Sequence, residues 1–137
     1  MRGTWGTRAI GYLVRICIIL YNSDMIRSAK PIEFRGGAMD DLLGFPATAR
    51  REAGYQLFQV QEGLDPDDWK PMNSIGQGVR EIRIREIDGA FRVVYIAKFA
   101  DAVYVLHCFQ KKSQKTSSED VALATRRYKE LIRELKP

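Results

Sequence analysis

Polar and apolar residues alternate with a period of two through much of Val79–Lys115, VREIRIREIDGAFRVVYIAKFADAVYVLHCFQKKSQK. That period belongs to strands with one buried face, and the stretch divides into three such runs. Asp88-Gly89 predicts a tight hairpin between the first two, because a two-residue turn with positive φ favours that pair. Pairing outward from it sets Glu86 opposite Phe91, Arg85 opposite Arg92, Ile84 opposite Val93 and Arg83 opposite Val94. Ile82, Ile84, Phe91, Val93 and Tyr95 then share one face, and Arg83, Arg85 and Arg92 the other. The third run, Ala102 to Gln110, is apolar on both sides, as an interior strand is. Continuing the alternation puts Tyr104, Leu106 and Cys108 on the apolar face, and Val105, His107 and Phe109 with the arginines. Lys111 emerges on the arginine face. A bulge in this run would reverse part of that facing.

Helical spacing brackets the strands. Lys30 to Phe34 (KPIEF) predicts a short strand. Ala38 to Phe45 predicts a short helix with Asp40 and Asp41 outward and Met39, Leu42 and Leu43 inward. Pro46 opens a second helix, Ala47 to Glu62, with Ala49, Ala53, Leu57 and Val60 on its buried stripe and Gly63 as its stop. Leu64 to Gly78 is expected to be an irregular connection. Ser117 or Ser118 caps a last helix whose stripe is Ala124, Tyr128, Leu131, Ile132 and Leu135. Arg126, Arg127, Lys129, Arg133 and Lys136 form its solvated side. The expected fold is α+β: an antiparallel sheet with two N-terminal helices and a C-terminal helix.

At 137 residues the chain suits one domain, assigned to residues 25–137. Residues 1–24 are expected to be an N-terminal extension ahead of a start at Met25. Their apolar run, Ile10 to Tyr21, is too short to cross a membrane and is interrupted by Arg15, so no membrane role is assigned.

Lys and Arg total 22 against 17 Asp and Glu, a formal charge of +5 that suits an anionic partner. Arg85 facing Arg92 sharpens this, because directly opposed arginines repel unless an anion lies across them. Two cysteines, Cys17 and Cys108, make no disulfide framework and fit a reducing cytoplasm. One histidine excludes a two-histidine acid–base nuclease and a His-rich metal site. Asp65, Asp67 and Asp68 lack the spacing and closing Glu of an EF-hand. Gly76-Gln77-Gly78 leads into a strand rather than a helix, which excludes a phosphate loop. A basic, His-bearing sheet face suits a phosphodiester. Cleaving RNA by its own 2′-hydroxyl needs a base and cations for the developing charge, and clustered cations make a lysine a usable base. No metal or cofactor is implied.

KPIEF, WKPMNSIGQGVREIRIRE, FRVVY and VYVLHCFQKKSQKT before a last helix together resemble the RelE/HigB toxin superfamily, and within it the phage-related HigB-like branch. The resemblance covers roughly Lys30 to Leu135. It implies a small RelE-like fold and a ribosome-dependent endoribonuclease that cuts mRNA, the toxin of a type II toxin–antitoxin pair. It also implies a cognate antitoxin, often a helix-turn-helix protein. Residue by residue, Arg83 matches the strand arginine that contacts the scissile phosphate. Lys111 and Lys112 match the basic pair ending the last strand, and Lys70 resembles the basic residues near the 2′-hydroxyl. The family's C-terminal catalytic tyrosine has no match, since Tyr128 falls on the helix's buried stripe.

The candidate catalytic set is therefore Arg83, Lys111, Lys112 and His107, with Lys70, Arg85, Arg92, Lys115 and Phe109 as RNA contacts. Each has a plainer reading. Arg92 could bridge to an acidic residue, His107 could pack beside Val94 and Phe109, and the lysines could be a solvated strand exit. Trp69 and Phe109 could stack a base, or Trp69 could serve the core. The alternative function is a non-catalytic module, a degenerate or gyrase-directed toxin that binds RNA or protein on the same face.

Overall fold

The computed structural model describes residues 29–136. The expected extension, residues 1–24, and the expected start at Met25 lie outside them. In order come β1 (Ile32–Phe34), α1 (Ala38–Leu43), α2 (Ala47–Gln61), β2 (Trp69–Pro71), β3 (Val79–Glu86), β4 (Gly89–Ile96), β5 (Val103–Lys111) and α3 (Ser118–Leu135). The strands form one sheet in the order β1-β5-β4-β3-β2, antiparallel except where β1 runs parallel to β5. The fold is α+β, with two helices before the main sheet strands and one after. Among the described residues no helix is long and apolar enough to cross a membrane.

Each face of the sheet has its own core. On one, Ile82, Ile84, Phe91, Val93 and Tyr95 pack with the α1 and α2 stripe of Leu42, Ala49, Ala53, Leu57 and Val60. On the other, α3 lays Ala124 and Leu131 over Val79, Ile96, Tyr104 and Leu106. Leu135, expected on that stripe, is the last residue of the helix and is exposed.

Three details depart from the alternation. The β3–β4 turn holds Ile87 and Asp88, so Glu86 pairs with Gly89, and Arg83, rather than Arg85, stands opposite Arg92. Gly89 takes φ +134°, a conformation that suits glycine at the turn's exit. Both strands slip by one residue together, so the facing of their side chains survives. A bulge interrupts β4–β5 between Val94 and Tyr95, pairing Val94 with His107 but Tyr95 with Val105 and leaving Leu106 between. Tyr104 and Leu106 thereby pack under α3 on the arginine side, and Val105 joins the opposite core, reversing the expected facing of all three. Arg127, expected to be solvated, donates from α3 to the Leu106 carbonyl at 2.9 Å, serving the residue that the bulge takes out of the ladder. Finally, the connection from Leu64 to Gly78 contains a strand, β2, that pairs Lys70 with Glu81.

Candidate nucleic-acid interface

α3 covers only one half of its face of the sheet. On the other half, four consecutive strands each contribute one cation: Lys70 from β2, Arg83 from β3, Arg92 from β4 and Lys111 from the end of β5. The ladder fixes their proximity, through the pairs Lys70–Glu81, Arg83–Arg92, Arg92–Phe109 and Ala90–Lys111. Arg85, exposed and nearer the turn, extends the row.

At its centre is a residue that the sequence reading passed over. Glu81 is 0 % exposed. Its Oε1 lies 3.5 Å from Arg92 Nε and 3.9 Å from Lys70 Nζ, while Oε2 accepts from the Thr116 hydroxyl at 3.5 Å. Parity could have found it, since positions 81, 83 and 85 share a face. Arg92 is itself buried, at 4 % exposure, and donates to the Phe91 carbonyl at 3.0 Å. Burial pushes the Arg92 guanidinium below its ordinary pKa; Glu81 opposes this, and Arg83 and Arg85 add to it. Arg92 thus does bridge to an acid, within the basic cluster.

Arg83 stays half-open, with Nη1 3.9 Å from an Asp68 carboxylate oxygen and its backbone N–H on the Asp68 carbonyl at 2.8 Å. Lys111 reaches the Gln114 carbonyl. Desolvation and the facing Arg92 lower its pKa, Lys70 and Arg83 add to the shift, and Glu81 opposes it. Beyond the strand, Lys112 and Lys115 are exposed on a loop. With Phe109, Lys111, Ser117 and Asp120 they line a shallow cavity of about 200 Å³.

His107 does not reach the open surface. It is 4 % exposed, its Nε2–H donates to Asp120 Oδ1 at 2.7 Å, and Nδ1 lies 3.7 Å from Asp41. It ties β5 to the start of α3 and faces α1, which neither its neighbours in sequence nor its parity could show. Phe109 stacks on it with ring centroids 5.1 Å apart and is 9 % exposed, so His107 covers one ring face. Trp69 belongs to the other side of the sheet, where the Arg80 guanidinium lies 3.9 Å from its ring centroid. The structure therefore brings together Lys70, Arg83, Arg85, Arg92 and Lys111, sets Lys112 and Lys115 beside them, and withdraws His107.

Residues 40–129, more than half of the chain, match the family described as Phage derived protein Gp49-like (DUF891). The match runs from within α1 into α3 and includes every residue of the basic half-face. No curated protein matches the chain.

Proposed function

The chain belongs to the Gp49-like phage-derived family, a toxin family of toxin–antitoxin systems within the RelE/HigB-like superfamily, and from that premise we propose that it is a ribosome-dependent mRNA endoribonuclease. Family membership implies a cognate antitoxin; a helix-turn-helix protein is the proposed form, and the cytoplasm the proposed compartment. Residues 25–137 are the proposed toxin domain. The observation that carries the reading is the row of one cation per strand, Lys70, Arg83, Arg92 and Lys111, on the half-face that α3 leaves open.

In the proposed reaction the RNA 2′-oxygen attacks the adjacent phosphorus and the bond to the 5′-oxygen breaks, leaving a cyclic phosphate and a 5′-hydroxyl. Arg83 holds the non-bridging oxygens, where charge grows in the transition state. Lys111 is the proposed base, since its lowered pKa leaves more free amine near neutrality than an ordinary lysine has. Lys112, on the same cavity wall, is the proposed proton donor to the leaving oxygen. Lys70, Arg85 and Lys115 hold the flanking phosphates. His107, buried between two carboxylates, serves by fixing β5 against α3. Among the described residues that leaves no exposed imidazole, and so weak intrinsic acid–base power. Such a site gains most from a substrate already held in line, which the ribosome would supply.

Induction should arrest growth and cut translated messages in step with the reading frame. Purified protein should cleave mRNA on programmed ribosomes far faster than naked RNA. Equal cleavage of naked RNA would reject ribosome dependence, and growth arrest with no cuts would favour the non-catalytic alternative.

A further inference from the structure

A carboxylate withdrawn from water inside a basic cluster carries a large desolvation cost, and an apolar side chain of similar volume would pack there without it. Glu81 carries that cost with incomplete compensation. Oε1 is buried and receives no hydrogen bond within normal geometry, although Arg92 Nε and Lys70 Nζ flank it at 3.5 and 3.9 Å. Arg92 Nε is likewise buried without a hydrogen-bond partner. The group sits at the contact of three pieces of chain: β2 through Lys70, β4 through Arg92, and the loop after β5 through Thr116. We propose that Glu81 is a positioning residue of this site, a buried counter-ion that aims the partly exposed Lys70 at the RNA, holds the buried Arg92 beneath the row, and anchors the lysine loop through Thr116.

The inference rests on the nuclease reading for its kinetic consequence, but not for its spectroscopic one. Lys111 is faced by Arg92, Arg83, Lys70 and Glu81 from the sheet, by Lys112 and Lys115 from its own loop, and by Asp120 from α3. Among the sheet groups Glu81 alone supports its protonated form. Replacing the Glu81 carboxylate by an amide should therefore move the Lys111 titration to lower pH, a response that an uncharged core residue would not give.

The test compares wild type with Glu81→Gln and Glu81→Asp in two measurements. Side-chain nitrogen NMR follows the Arg92 Nε–H resonance and the Lys111 titration. Single-turnover cleavage on programmed ribosomes gives the rate at saturation and the half-saturating ribosome concentration. For Glu81→Gln the expected result is a displaced Arg92 resonance, a Lys111 midpoint moved down, and a saturating rate reduced about a hundredfold at unchanged half-saturation, the scale of loss from a small misplacement. Glu81→Asp keeps the charge but shortens the reach, and decides the matter if the amide variant does not fold. Its Arg92 resonance should also move and its rate should fall, with the Lys111 midpoint held closer to wild type. Unmoved resonances, or a wild-type cleavage rate in a folded variant, would overturn the proposal. If the wild type itself does not cleave, the nuclease reading fails, and the NMR comparison still decides the role of Glu81.

Discussion

Arg83 and Arg85 share a face two residues apart, yet the register gives them different work. Arg83 stands opposite Arg92 at the centre of the cluster, whereas Arg85 stands opposite Ala90 near the turn. A guanidinium fork makes paired contacts to two phosphate oxygens that an ammonium cannot reproduce. Arg83→Lys should therefore keep the fold and ribosome association but lose about two orders of magnitude in cleavage, the loss expected when one oxyanion donor is removed. Arg85→Lys should cost far less. Single-turnover cleavage with binding measured in parallel separates the two, and equal losses would make the face a general anion surface. As the proposed base, Lys111 should set the pH response. Its pKa is lowered from 10.5, so free amine accumulates at lower pH than in an ordinary lysine. Cleavage should rise with pH through a midpoint below that value. Lys111→Arg, charged throughout, should flatten the rise, which a pH–rate profile of wild type and variant would show.

At the scale of the elements, α3 begins beside the site and its start is pinned by a short chain of contacts. Ser117 Oγ accepts from the Asp120 N–H at 3.1 Å and donates to Asp120 Oδ2 at 2.7 Å, and the other carboxylate oxygen takes the His107 proton. Ser117→Ala should cost about 1 kcal/mol and lower Tm by about 4 °C, measured by thermal unfolding. It should also loosen the lysine loop immediately before it. The elements differ in how far the sequence discloses them. The facing of β3 and β4 is legible because a turn displaced by one residue on each strand leaves parity intact. The bulge at Leu106 is not, since Val103 to Leu106 is an unbroken apolar run and alternation has nothing to register there. Nor is β2: three residues ending in proline carry no period, and only pairing with β3 makes them a strand. Glu81 was legible by parity but hidden among arginines. The Asp41–His107 approach joins residues 66 positions apart and has no local signature.

For the whole molecule, the excess of five positive charges is spent unevenly. Arg80 pairs with Asp65, and Arg35 with Glu33 and Glu134, away from the open half-face. Lys112 and Lys115 project from their loop without such partners among the described residues, in keeping with a role in holding phosphate rather than in shaping the fold. Binding to a single-stranded RNA should weaken steeply with salt. The slope of log K against log salt should fall by about 0.7 for each of Lys112→Gln and Lys115→Gln, the counterion release of one phosphate contact. Cleavage at saturation should change little in Lys115→Gln. A slope unaltered in both would place the RNA elsewhere.

The strand order has a consequence in time. β5 is the last strand made, yet it lies inside the sheet, inserted between β1 and β4 and carrying Lys111 at its end. Chains emerge from the ribosome amino end first. Until β5 arrives, β1 has no neighbour in the sheet and the row of cations is one member short. A nascent chain of this order is thus unarmed until β5 has been made. Under the proposed function, the ribosome that makes the toxin is spared by it until β5 has been made and has paired between β1 and β4.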